Sequence, residues 1–499
     1  MKSKTSAGLI ALTLLAALAT PVSLAAQRQT AKKHHRYKLI DTGTLGGPTS
    51  SLGFEGERDI NNRGVLVSLA DTPPTDPYAP NCFLDCFLAH TVEWRDGVLT
   101  DLGALPVTNN SGPVWISDNG LISGLSQNGV IDPLTGAPEF GAVLWKDGGL
   151  LDLGAFGGNN SCAGAVNDMG EMVGAAATAV SDPFSFCFGV QQSHAFLWQD
   201  GSMQDLGTLG GPDSIAQFIN DSGQVAGISY VNSIVNPNTG VPTLHPFMWQ
   251  HGHMKDLGTI GGTFVSQVNH LNDGGQLVGA MSTKGDQALH PFLWDGRKMR
   301  DLHTLGGDFG DAFWVNDSGD VVGVATISGD QIRHGFLWSQ GFLTDLGVAP
   351  GDQCSVAYAI STRGEIVGSS DDCFGNSANA LLWRRGHLTN LNNFVRSGSG
   401  VQLTVALNIN ERGDIAVQGV VANGDTHAFL LIPCEGEHIA DEGCEDEGDI
   451  TAVAVQSNPA PNDQNPPRAM DTGLSPKEIA TRMRARFGQN RAIGAWQRR

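Results

Sequence analysis

Cations are scarce in this 499-residue chain: 30 Lys and Arg stand against 51 Asp and Glu, a formal net charge of −21. Nucleic acids and anionic lipid surfaces are bound through a basic footprint, so neither is an expected partner. Charged residues of both signs reach only 16%, and tyrosine is down to four residues. Hydrophobic residues make up 40%, which excludes a disordered polyanion and leaves ample material for a core. Beyond residue 26 no apolar run is long enough to span a bilayer. There is no G-x-S-x-G nucleophile elbow, no H-E-x-x-H and no phosphate loop, so no cofactor is implied. What is plentiful is glycine: 65 residues, about 13% against a usual share of roughly 7%. Glycine weakens helix and strand interiors and suits tight turns, so the expectation is an all-β chain of short strands.

Residues 1–26 read as a secretory signal. Lys2 and Lys4 precede an apolar stretch over residues 7–19, and Ser23, Leu24, Ala25 and Ala26 offer small residues at a cut. The stretch is shorter than the ~20 residues of a spanning helix. The mature protein is therefore expected in the periplasm or the medium, without a membrane span and as a monomer. An even cysteine count in an exported chain favours disulfides. Proximity pairs Cys82 with Cys86, Cys162 with Cys187, Cys354 with Cys373, and Cys434 with Cys444. Cys82 and Cys86 are one residue too far apart for a CxxC metal knuckle and have no histidine nearby.

One unit recurs eight times. The Asp opening a DLG-like triplet falls at Asp41, Asp101, Asp152, Asp205, Asp256, Asp301 and Asp345, with Asn390 in the eighth place. The spacing is 44–60 residues. Each unit divides into four strands, a to d, here illustrated by the fourth. Strand a covers residues 215–219, the turn Asn220-Asp221-Ser222-Gly223 follows, and strand b covers 224–229. Strand c covers 245–249, and a second glycine turn leads into strand d with its DLG. Four-stranded units of this length predict propeller blades. Residues 37–43 form a lone strand d, while the last unit ends on strand c at residues 429–432. The first strand can therefore complete the last blade and close an eight-bladed β-propeller over residues 27–433.

The units resemble the HAF repeat, a family of extracellular bacterial repeats named for a His-Ala-Phe motif. The motif stands at His194-Ala195-Phe196 and His427-Ala428-Phe429, with variants at His245-Pro246-Phe247, His290-Pro291-Phe292 and His334-Gly335-Phe336. The resemblance covers residues 37–432. It implies an exported repeat protein and no particular reaction.

The strand-c histidine recurs at His90, His194, His245, His290, His334 and His427. Six histidines invite a metal, but copies in separate blades cannot meet within the ~2 Å that a metal–nitrogen bond requires. Pairing of Trp198 with Met203 would set His194 opposite Gly207 and diagonal to Asp205. This predicts structural pairs His90–Asp101, His194–Asp205, His245–Asp256, His290–Asp301 and His334–Asp345. Ring closure adds His427–Asp41, and no metal is expected. The strand-c tryptophans, Trp94 to Trp383, are expected in the core.

Function is expected on the b–c loops of units one to four, residues 69–89, 125–140, 177–193 and 229–244, which are long and contain no Lys, Arg or His. They carry Asp76, Asp85, Asp132, Glu139 and Asp182 among aromatic residues. The candidate ligand-binding residues are Tyr78, Phe83, Asp85, Phe140, Phe184, Phe186 and Tyr230, facing a protein or a neutral glycan. An alternative is packing of these aromatics within the loops themselves. Three functions stay open: a binding scaffold without enzyme activity, a carbohydrate-active hydrolase or lyase with acids at the axial mouth, and a cell-envelope structural protein. The chain closes with an acidic segment, 434–449, a Pro- and Asn-rich linker, 450–473, and a short basic helix within 474–499, opened by Ser475-Pro476-Lys477-Glu478.

Overall fold

The computed structural model describes residues 36–434 and Cys444, apart from residues 54, 55, 80, 81, 84, 107, 187–189, 238, 376 and 377 and the side chain of Ser266. All of them belong to one compact unit, Arg36–Arg499. The expected signal segment, the linker and the C-terminal helix lie outside the described residues.

Strands a and b are buried along consecutive residues, as in Ser214–Ile219 and Ile366–Asp371, so the sheets have both faces covered by neighbours. There are six separate four-stranded sheets and one eight-stranded sheet. In the latter, two four-stranded sets are joined by a single parallel step, Leu289 opposite Phe309. The fourth unit shows the pattern: Ser214–Ile219, Val225–Val235, Pro242–Gln250 and His253–Asp256 follow one another as strands a to d.

The turn between a and b is fixed by Asn220. Its Oδ1 accepts from Ser222 N and Gln224 N at 3.1 and 3.0 Å, and Gly223 takes φ +70°. Strand b then needs a glycine. A Cβ at Gly227 would stand 1.9 Å from the Ile215 carbonyl oxygen, because strand a bulges between Ala216 and Phe218 and presses its backbone on this spot. The same approach, 1.9–2.2 Å, recurs at Gly124, Gly174, Gly279, Gly323 and Gly368.

Strand-c side chains supply the core. Phe140, Phe196, Phe247, Phe292, Phe336 and Phe429 are fully buried, and Trp198, Trp249 and Trp294, two residues beyond the second, third and fourth of them, are buried as well. Trp145 Nε1 donates to Leu102 O of the preceding unit at 3.0 Å, and Trp383 Nε1 to Leu346 O at 2.8 Å, so the tryptophan also joins units.

The first strand, Tyr37–Asp41, pairs antiparallel with the last, Thr426–Pro433, from Tyr37 opposite Pro433 to Asp41 opposite Phe429. Units one and eight also meet at their a–b ends. Asn408 Oδ1 accepts from Asp59 N at 2.6 Å, Asn410 Nδ2 donates to Asn61 O at 2.9 Å, and Glu411 N donates to Asn62 Oδ1 at 2.9 Å.

Two expectations need correction. Strands b and c of units one to four run on past the points where long loops were expected to begin. In units two and four the sequence reads residues 132–138 and 236–242 as turn tips of extended hairpins. Ile122–Ile131 with Pro138–Lys146 form such a hairpin, with a register shift in its outer part. The remaining loops are short. Between c and d, a one-residue irregularity sets Ala195, not His194, opposite Gly207. Among the described residues no helix is long and apolar enough to cross a membrane.

Candidate functional site

Each strand-c histidine stands over the DLG aspartate of its own sheet. Nδ1 lies 3.0 Å from the carboxylate in His90–Asp101, 2.9 Å in His194–Asp205, His245–Asp256 and His290–Asp301, and 2.8 Å in His334–Asp345. His427 lies 2.9 Å from Asp41, 386 residues away. The carboxylate also accepts the backbone N–H two residues on, for example Gly207 N at 2.7 Å. Burial works against the charged form of Asp101, Asp205, Asp256, Asp301 and Asp345. The histidine and that N–H outweigh it and hold these carboxyls below the usual range. The Asp345 hydrogen bond raises His334, against its burial. Where the repeat lacks the pair, the contact changes chemistry. Unit seven joins Asn390 Nδ2 to Asn379 Oδ1 at 3.1 Å, and unit two has Gly141, beside which Asp152 fills the space.

The hairpins of units one to four are built from their base. Asp76 Oδ2 accepts from Asn110 Nδ2 of the next unit at 3.0 Å. Asp132 accepts from Asn159 and Asn160 at 2.8 and 3.2 Å, and Asn236 Nδ2 donates to Thr263 Oγ1 at 2.6 Å. Asp182 sits against Asp213, whose carboxyl is raised by burial first and then by that neighbour. The loop acids Asp76, Asp132 and Asp182 are thus buried ties between units.

Most of the candidate aromatics are buried too. Phe83 packs at 5.7 Å against Phe140, and Phe186 stacks at 4.6 Å on Tyr230; all four are under 8% exposed. Tyr230 Oη donates to Phe184 O at 3.3 Å, and Tyr78 Oη to Asn109 Oδ1 at 2.8 Å. Phe184 and Tyr78 are half-buried, and only Asp85 is exposed, accepting from Thr49 Oγ1 at 3.2 Å. These rings fill the space between hairpins and sheets, so Phe83, Phe140, Phe186 and Tyr230 present no open face. Cys82 is bonded to Cys86, Cys354 to Cys373 and Cys434 to Cys444. Cys162 is disulfide-bonded, while Cys187 and Phe188 lie outside the described residues.

Among the described residues of the hairpins of units one to four, the exposed large apolar groups are instead aliphatic, whereas Phe342 and Phe374 are exposed elsewhere. Val130 and Ile131 in unit two, Val180 in unit three, and Ile234 and Val235 in unit four stand at equivalent places near the ends of their b strands. Exposure runs from 45 to 77%. Sequence reading passed over them in favour of the aromatics. The signal was there in the β-branched residue two positions before Asp132, Asp182 and Asn236, with a second one position before Asp132 and Asn236.

A second feature lies at the other end of the strands. A cavity of ≈ 160 Å³ is lined by residues of all eight units. Its floor is a stack of Trp115, His270 and Trp314, with 3.8 Å between the His270 and Trp314 rings. His270 is buried, its Nδ1 has no hydrogen-bond partner, and burial together with Arg58 depresses its pKa to about 3. The mouth carries Asp118, Asp168, Asp221, Asp273, Asp317 and Glu411. These acids are tied around the rim: Asp168 Oδ1 accepts from Asn119 N at 2.8 Å and Asp221 Oδ1 from Asp168 N at 3.0 Å. Asp118 is paired with Arg58 at 2.6 Å. Burial first, and then neighbouring carboxylates, raise Asp221 and Asp273.

Comparison with solved structures gives partial likenesses. The β-propeller domain of the Trilobed protease from Pyrococcus furiosus is similar at 8% identity and a TM-score of 0.43, over 71% of this chain and 98% of that one. Acylaminoacyl peptidase from Pyrococcus horikoshii follows at 12% identity and a TM-score of 0.40, over 76% of this chain and 59% of that one. Dipeptidyl peptidase 4 from Porphyromonas gingivalis is 11% identical with a TM-score of 0.38, over 72% and 49%. No protein-family model matches the chain, and no curated protein matches it.

Proposed function

We propose that the chain is an exported, closed eight-bladed β-propeller of the HAF-repeat type that binds a protein partner through the hairpins of units two to four. The pairing of Tyr37–Asp41 with Thr426–Pro433, the contacts between units one and eight, and a cavity shared by all units support the closed ring. The binding reading rests on one observation: the hairpins bury their aromatic rings and expose Val130, Ile131, Val180 and Ile234. Glycans are held by stacking on open aromatic faces, whereas clustered exposed aliphatic groups mark protein interfaces. The hairpin stretches also lack Lys, Arg and His, so the partner surface is apolar or basic rather than acidic. The triple variant Ile131→Asp, Val180→Asp, Ile234→Asp tests this. Parent and variant are compared for retention of secreted and envelope proteins and for binding to a panel of neutral glycans. The parent alone should retain a partner, and neither should bind glycans; equal retention, or glycan binding, would contradict the reading.

A second reading is favoured by the raised carboxyls of Asp221 and Asp273: acid-assisted hydrolysis or elimination at the axial mouth. Turnover of a polysaccharide that Asp221→Asn and Asp273→Asn abolish would support it over the first.

A further inference from the structure

Six of the seven DLG-like triplets end in glycine, at Gly43, Gly103, Gly154, Gly207, Gly258 and Gly347, with φ between +68° and +82°. The seventh, in unit five, ends in His303, which adopts the same left-handed backbone at φ +61°. A side chain there is strained, and strain kept at one copy of a repeat asks for a compensating role. His303 supplies one. Its Nδ1 lies 3.5 Å from Asp301 Oδ2, and the His290 and His303 rings meet edge to face at 6.1 Å. His290 Nδ1 is 2.9 Å from Asp301 Oδ1. One donor atom from each of the three residues lies within 4.8 Å of the other two.

We infer that His290, Asp301 and His303 form a surface site for a divalent transition metal such as zinc. Two imidazole nitrogens and a carboxylate oxygen are a donor set suited to zinc, copper or nickel rather than magnesium or calcium. Ligands at ~2.0–2.1 Å in tetrahedral array stand ~3.3 Å apart, and Asp301 Oδ2 lies 3.0 and 3.5 Å from the Nδ1 atoms of His290 and His303. On binding, His290 Nδ1 exchanges its proton contact with Asp301 for the metal, the ring proton moving to Nε2. The nearby cation Arg300 is already held by Asp295 at 2.6 Å. His303 is 76% exposed, which leaves a coordination position open to water or to a partner's side chain. The site lies at the end of the strands that carries the hairpins, but it does not depend on their binding role. The sequence argument against a metal weighed histidines in separate blades and left out a second histidine within one blade.

The test is zinc titration of the full chain by calorimetry, comparing the parent with His303→Gly and Gly258→His. His303→Gly restores the residue used by the sister units, so its fold is secure. A Cβ at Gly258 meets nothing within 4 Å, so His fits there. The parent should bind one more zinc ion than His303→Gly and one fewer than Gly258→His. Anomalous scattering at the zinc edge should place the parent's ion between His290 and His303. Equal stoichiometry and affinity in parent and His303→Gly, or an ion elsewhere only, would overturn the site.

Discussion

At the scale of single residues, the repeats act as controls on one another. The same His–Asp contact in six units, an Asn–Asn contact in unit seven and Asp152 beside Gly141 in unit two show that the chemistry of this position follows the residues each unit supplies. The aspartates are substantially exposed, so each pair is worth only about 0.2–1 kcal/mol. Their depressed carboxyls contribute above the unfolded pKa, and the contribution is lost as pH falls through the lower folded value. His194→Ala should therefore lower the melting temperature slightly at pH 7, and the difference should vanish in acid. Asp59 behaves in the opposite sense. It is buried, one oxygen unpaired, and its pKa is pushed up to about 8 by burial, opposed by the Gly53 N–H and aided by Glu57. The native state keeps a proton that the unfolded chain gives up near pH 4, so stability falls as pH rises from about 4 to 8. Chemical denaturation across that range should show a flatter profile for Asp59→Asn; an unchanged slope would place the titration elsewhere.

At the scale of strands and turns, what repeats was legible and what does not repeat was not. Strand order, the a–b and c–d turns and the His–Asp partners follow from positions seen six to eight times. In the hairpins of units one to four only the tips at residues 132–138 and 236–242 share a pattern, and the packing of the stems does not repeat. Their aromatic residues looked like binding platforms because sequence shows a ring but not the neighbour that covers it. Phe83 and Phe140 come from two units and meet only in the folded chain. The a–b asparagine was read as a turn former, and it is more than that. Asn220 Nδ2 donates to Asn272 O of the next unit at 3.1 Å, Asn272 Nδ2 to Asn316 O at 2.9 Å, and Asn316 Nδ2 to Ser361 O at 3.0 Å. Asn272→Ala should cost about 1–3 kcal/mol in denaturant unfolding, since it strands a buried carbonyl as well as its own turn. A cost as small as that of a surface substitution would show that the belt carries no load between units.

At the scale of the whole molecule, the chain meets itself. Edge strands left open invite pairing with other chains, and the first strand covers the last one, Thr426–Pro433, giving its sheet the four strands of the others. Sequence pointed to this arrangement because the first unit begins with a strand d and the last unit lacks one. It could not show the belt that accompanies it, in which Arg412 Nη1 donates to Arg63 O at 2.9 Å across 349 residues. Among the described residues no cysteine is free, so an introduced pair reports on this junction alone. The most direct measurement is cross-linking of the double variant Arg63→Cys, Arg412→Cys with a short bifunctional thiol reagent, read by mass spectrometry. A closed ring predicts an intramolecular link in nearly every chain. An open array predicts none, and links found only between molecules would contradict closure.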